Sequence, residues 1–125
     1  INMKENILLK KDFAFFKNKK SLFAMTAHVV FKNIDNKNTV TQSKKLIKLI
    51  RKKIGFKNIL ISDDLSMKSL KGSLEENTIK ALNAGCNLVL HCNGNLDEME
   101  IIGKNSPLIS KFIIKKTSQF YKILS

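Results

Sequence analysis

Residues 58–67 read Asn58-Ile59-Leu60-Ile61-Ser62-Asp63-Asp64-Leu65-Ser66-Met67, a strand-like apolar run that stops at two adjacent carboxylates. In proteins built on parallel strands, chemistry gathers at the carboxyl ends of those strands. A carboxylate anchored there on rigid backbone points into a shared mouth and can serve as nucleophile, base or metal ligand. The competing reading is that the two Asp only end the strand and cap the next turn. The segment alone leaves both open.

On either side of this segment, two more apolar runs read as strands, Leu22 to Val30 and Asn87 to Cys92. None of the three alternates strictly, which favours a parallel sheet covered on both faces. Helical patterns separate them. From Thr41 to Ile54, the residues Leu46, Ile47, Ile50 and Ile54 form one stripe, with lysines on the other side. Thr41 or Ser43 can cap its start, and Gly55 suits the left-handed position after its end. A second helix over Glu75 to Ala84 opens with acidic residues and stops at Gly85. A third is predicted from Ser106-Pro107 toward Leu124, with Phe112, Ile113, Phe120 and Tyr121 as its apolar positions and a break near Lys115 to Ser118. Lys10 to Asn18 reads as a short helix carrying Phe13 and Phe16. Lys32 to Asn38, Ser66 to Ser73 and Asn93 to Asn105 read as loops. Helix and strand alternate throughout, so the expected fold is α/β, with right-handed βαβ units on a parallel sheet.

The 125 residues suit one domain, with 43% hydrophobic and 26% charged residues as in ordinary soluble proteins. No apolar run reaches the roughly 18 residues of a spanning helix, and the start has no secretory h-region. A cytoplasmic protein without a membrane partner is expected. Position 1 is Ile rather than Met, which points to a partial chain. The formal charge of +13 raises an alternative, a basic α/β module that binds nucleic acid. Of the 23 basic residues, however, only Arg51 is Arg, and the lysines are spread along the chain. Phosphate and base recognition favour Arg's planar fork, so compositional drift toward Lys, Asn and Ile is the simpler account. Cys86 and Cys92 match no zinc spacing and suggest a reduced protein. There is no phosphate loop, metal-ligand cluster or Ser-His-Asp arrangement, so neither metal nor cofactor is expected.

Four strings now stand in order: Met25-Thr26-Ala27-His28-Val29-Val30-Phe31, Ile54-Gly55-Phe56, Ile61-Ser62-Asp63-Asp64-Leu65-Ser66-Met67, and Ala84-Gly85-Cys86-Asn87-Leu88-Val89-Leu90-His91-Cys92-Asn93. Together they resemble the family-3 glycoside hydrolases, specifically the bacterial β-N-acetylhexosaminidase (NagZ) branch. The resemblance spans roughly Lys10 to Ser110. It implies a (β/α)₈ TIM barrel of which this chain supplies about the last three βα units. Residues 1–125 then form a truncated, C-terminal portion of the catalytic domain, since a whole barrel takes ~250 residues. The family's catalytic loop, a Lys-His-Phe-Pro-Gly-His-Gly run followed by Asp-Ser-His, has no counterpart in this sequence.

The resemblance makes Asp63 the nucleophile of a retaining hydrolase that releases N-acetylglucosamine from peptidoglycan-derived muropeptides. A family-3 glycosidase with another sugar preference is a further alternative. Such a nucleophile must rest ionised, so it needs hydrogen-bond donors rather than an apolar wall. Asp64, on the opposite side of the strand, reads as structural, accepting N–H bonds from the following loop. The branch's general acid is a histidine supported by an aspartate, and neither is present, so the isolated chain is expected to be inactive. His28 follows the first strand and either lines or supports the sugar pocket or is a satisfied buried histidine. Asn93, just past the third strand, is the other candidate substrate-binding residue; His91 reads as structural. Met25 and Met67 read as core fillers, and Phe13, Phe15 and Phe16 as packing. The complete enzyme is expected to be a monomer acting on carbohydrate alone.

Overall fold

All three apolar runs become parallel strands in the computed structural model, which describes residues 1–17 and 19–124. They are β1 (Phe23–Met25), β2 (Ile59–Asp64) and β3 (Leu88–Leu90), with β2 in the centre. Phe23, Ala24 and Met25 pair with Ile59, Leu60 and Ile61, and Leu88 and Leu90 pair with Ile61 and Asp64. The second register slips between Ile61 and Asp64. There the buried Ser62 hydroxyl accepts the Leu90 N–H at 2.9 Å, satisfying a donor that the ladder leaves over.

Helices alternate with the strands. Ahead of β1 come α1 (Glu5–Lys10) and a 3₁₀ turn, Phe13–Phe16. In place of the helix expected over Lys10 to Asn18 there is this one 3₁₀ turn, with α1 ending at Lys10, and Asn18 lies outside the described residues. Between β1 and β2 runs α2 (Lys44–Leu49), whose last turn widens into a π-turn at Ile50–Ile54. Ser43 caps α2 by accepting the Leu46 N–H. Gly55, at φ 82°, ends the helix and lets the chain reverse into β2. Between β2 and β3 runs α3 (Leu74–Ala84), capped by Ser73 and ended by Gly85 at φ 118°. After β3 comes α4 (Leu96–Lys104), then α5 (Lys111–Leu124).

The last two helices differ from expectation. Residues 93–105 are largely helix α4 rather than loop, because Asn95 accepts the N–H groups of Asp97 and Glu98 and acidic residues fill the first turn. Helix α5 starts at Lys111, not at Ser106-Pro107, and runs unbroken through Lys115 to Ser118. Thr117 and Ser118 lie within it, their hydroxyls bonded back to the carbonyls of Ile113 and Ile114.

The core lies between the sheet and its helices. Leu60 and Cys86 pack with Ile47, Phe56 and Ala84, and Leu65, Leu70 and Ala81 form a second cluster. Each large side chain buried here stabilises by roughly 1.5–3 kcal/mol. The single Arg51 is used internally: it donates to the carbonyls of Phe56 and Asn58 and to Asn87 Oδ1, tying the amino end of β2 to the approach of β3. The other face of the sheet is more open. Met25 is 61% exposed there, and Phe23, which meets Phe120 of α5 edge-on at 5.8 Å, is 36% exposed. Met25 and Met67 are thus surface residues rather than core fillers. Phe15 and Phe16 are likewise exposed; of the early phenylalanines, Phe13 is the one that packs, edge-on to Phe31.

Candidate active site

Two-residue alternation along β2 splits its residues between the faces. Leu60 and Ser62 turn toward the helices, while Ile61 shares the open face with its partners Met25 and Leu88. Asp63 continues the Ile61 row, so its carboxylate stands at the carboxyl end of the central strand. It is half-buried, and Oδ1 accepts the N–H of Asp64 at 2.9 Å. An apolar cavity of about 260 Å³, lined by Phe13, Ala24, Leu46, Ile50 and Phe56, does not include Asp63 in its lining.

Asp64 does different work. Its Oδ1 accepts the N–H groups of Ser66 (3.0 Å) and Cys92 (3.2 Å), and its Oδ2 accepts the Ser66 hydroxyl (2.7 Å). Desolvation alone would raise its pKa, but these hydrogen bonds, with help from the nearby His91, hold the carboxyl below the usual range. The side chain clips the turn after β2 to the loop after β3.

His28 reaches the same backbone from the other side. Nε2 lies 2.8 Å from the Asp64 carbonyl oxygen, which can only accept, so Nε2 carries a proton. In the neutral ring, Nδ1 then accepts from the Thr41 hydroxyl at 2.9 Å, and Thr41 oxygen accepts from Thr26 at 2.8 Å. Thr26 and Thr41 are buried, and Cys86, whose thiol burial pushes up to about 11, donates to the Thr41 carbonyl. Both imidazole nitrogens are therefore occupied within the chain.

Asn93, on the exposed loop after β3, also has both amide ends in use: Nδ2 donates to Glu98 at 2.7 Å and Oδ1 accepts from the Asn95 N–H at 2.9 Å. The His91 side chain is nearly buried and bonds Glu98 Oε2 at 2.6 Å through Nε2. Hydrogen bonds from His91 and Asn93 lower the Glu98 pKa. Sequence reasoning brought Asp63, His28 and Asn93 to one end of the sheet but missed the partners of these and of Asp64: Thr41 bonds His28, Glu98 bonds Asn93, and Ser66 bonds Asp64. The Glu98 signal was available only by recognising α4, whose first turn sets Glu98 seven residues beyond His91. Among the described residues no group of His, Cys, Asp and Glu suited to a metal ion is found.

Known proteins share both sequence and fold with this chain. The sequence profile described as "Glycosyl hydrolase family 3 N terminal domain" matches residues 2–116. A beta-hexosaminidase from Methylobacillus flagellatus is 41% identical over 71 residues, covering 55% of this chain and 20% of the relative. A beta-hexosaminidase from Vibrio cholerae is 34% identical over 106 residues, covering 80% of this chain and 32% of the relative. The crystal structure of NagZ from Neisseria gonorrhoeae in complex with zinc ion matches with a TM-score of 0.75 at 25% identity, covering 93% of this chain and 34% of that one. The chain thus spans about a fifth to a third of the length of the curated relatives it matches. With a profile match over nearly its whole length, this chain belongs to the glycosyl hydrolase family 3 N-terminal domain family.

Proposed function

We propose that residues 1–125 form the last three βα units of a family-3 β-N-acetylhexosaminidase barrel and carry that enzyme's nucleophile, Asp63. The observation that supports the reading most is the half-buried Asp63 carboxylate on the open sheet face at the strand's carboxyl end, one oxygen held by the Asp64 N–H. The hexosaminidase names of the relatives and the TM-score to NagZ support the same assignment.

In this reading the Asp63 oxygen attacks the anomeric carbon while an acid protonates the departing oxygen. A covalent glycosyl-enzyme forms, and water then opens it with overall retention. The chemistry calls on a carboxylate, an acid–base group and water, without a cofactor. The acid–base group comes from the family's histidine loop, outside these 125 residues. Acid–base participation is typically worth ~10²–10⁴-fold, so the chain by itself is expected to be inactive. The substrate class is an N-acetylglucosamine-containing sugar, released from muropeptides in cytoplasmic peptidoglycan recycling, and the complete enzyme works as a monomer. His28 and Asn93 are the substrate-binding residues of this reading, His28 tied to the end of β2 and Asn93 to the start of α4.

The test completes the barrel with the upstream half of the family's catalytic domain and measures turnover of an aryl N-acetylglucosaminide. Asp63→Ala is expected to reduce kcat at least about 10³-fold. Equal rates in the two proteins remove Asp63 from the mechanism.

A further inference from the structure

We propose that His28, backed by Thr41, is a positioning residue for Asp63: it fixes the backbone of Asp64, whose own N–H holds the Asp63 carboxylate. The kinetic consequence rests on the reading of Asp63 as the nucleophile; the structural linkage does not.

Past the end of β1 the ladder to β2 gives way to side-chain bonding. The last rung there is the Thr26 N–H to the Ile61 carbonyl, at 2.9 Å. Beyond it the Asp64 carbonyl takes the His28 imidazole N–H, from a residue 36 positions away, in place of a ladder donor. Asp64 is therefore tied at both flanking peptide groups. The one before its Cα donates to Asp63 Oδ1, and the one after it accepts from His28. Its side chain is held as well, by Ser66 and Cys92. Freeing the carbonyl lets the peptide after Asp64 rotate, and a compensating rotation before the Cα re-aims the N–H on which the Asp63 carboxylate rests.

Thr41 supports the tautomer that the acceptor-only Asp64 carbonyl selects. Its hydroxyl sits at 2.9 Å from Nδ1 and is 0% exposed as a residue, so water does not compete for that contact. By donating there it favours the neutral form protonated at Nε2, the only neutral form that can bond the Asp64 carbonyl. Thr26 in turn fills the remaining capacity of Thr41 oxygen at 2.8 Å. The chain Thr26, Thr41, His28, Asp64, Asp63 thus runs from the buried side of the sheet to the carboxylate on its open face.

The linkage is tested by solution NMR on the 125-residue chain. Wild-type His28 is expected to show a protonated Nε2 and an unprotonated, hydrogen-bonded Nδ1 in its ring ¹⁵N spectrum. His28→Leu removes the donor and should accelerate hydrogen exchange at the Asp64 amide about tenfold or more relative to α3 amides in the same sample. His28→Gln, whose amide reaches about as far as Nε2, should restore the protection. Unchanged protection in His28→Leu overturns the proposal. Should that variant fail to fold, Thr41→Val takes its place: a mixture of ring tautomers and a faster Asp64 amide are expected, and a wild-type ring and amide overturn it. In the completed barrel, His28→Leu should lower kcat about tenfold with KM within about twofold, and His28→Gln should recover it. If Asp63→Ala is as active as wild type, the reading of Asp63 as nucleophile fails while the NMR linkage stands. If the amide responds in His28→Leu and kcat does not, the positioning role fails while the glycosidase reading stands.

Discussion

Adjacent carboxylates with identical side chains are given different work by what donates to them. Asp63 meets one backbone N–H, its neighbour's, and remains available on the open face. Asp64 collects three donors and becomes a clip. Asp64's structural part was legible from strand alternation, which turns it away from its neighbour. The identity of the donors was not, because Cys92 is 28 positions from Asp64 and His28 is 36. Asp35 makes the same point away from the site. Burial alone would raise its pKa, but the Ser43 hydroxyl, the Asn38 side chain and the N–H groups of Lys37 and Asn38 lower it from 3.8 to about 2. The unfolded chain therefore binds this proton more readily than the folded one. The stability that Asp35 contributes is present above about pH 4 and is lost as the pH falls through the window toward about 2. Asp35→Asn is expected to cost at most about 2 kcal/mol at pH 7 and to approach wild type near pH 2. Urea midpoints at the two pH values measure it; a pH-independent difference contradicts the carboxylate account.

Elements were read well where punctuation was strong. Gly55 and Gly85 both sit at positive φ at the ends predicted for α2 and α3, and Ser43 is one of the two caps offered for α2. The other, Thr41, is drawn into the His28 network instead, a tertiary demand that local spacing does not reveal. Helix α4 was read as loop because Asn93, Gly94, Asn95 and Asp97 look like turn residues, although Asn95 with Asp97 and Glu98 is equally a helix start. The strand at Leu22 to Val30 shrank to Phe23–Met25 because apolar character continues after the chain leaves the sheet. The two helix-ending glycines differ in a way that can be measured. A Cβ on Gly55 meets nothing within 4 Å, whereas one on Gly85 lands 2.8 Å from Cγ2 of the buried Ile47. Gly55→Ala is expected to cost about 1 kcal/mol for left-handed backbone alone, and Gly85→Ala clearly more, since the core must also move. Thermal denaturation of both variants decides this, and equal costs mean that Ile47 yields without strain.

Across the molecule two forces oppose each other. With β2 in the centre, β1 and β3 leave strand edges open, and Phe23, Met25, Tyr121 and Ile123 expose large apolar side chains. Unpaired edges and apolar patches favour association between copies. A formal charge of +13 opposes it, because like-charged copies repel over a Debye length of about 10 Å at 0.1 M salt but only about 3 Å at 1 M. The expected behaviour is a chain that stays dispersed at low ionic strength and associates as sodium chloride screens its lysines. This is the reverse of a basic protein held together by salt bridges or bound polyanion, which salt disperses. Met25 lies in the exposed row on β1, so Met25→Lys adds charge where apolar contact begins. That variant should need markedly more salt to associate while its unfolding midpoint changes little, since Met25 is 61% exposed. Light scattering across a salt series, with both proteins at one concentration, reads the outcome. Association that weakens with salt, or that Met25→Lys leaves unaltered, places the contact somewhere other than the open sheet face.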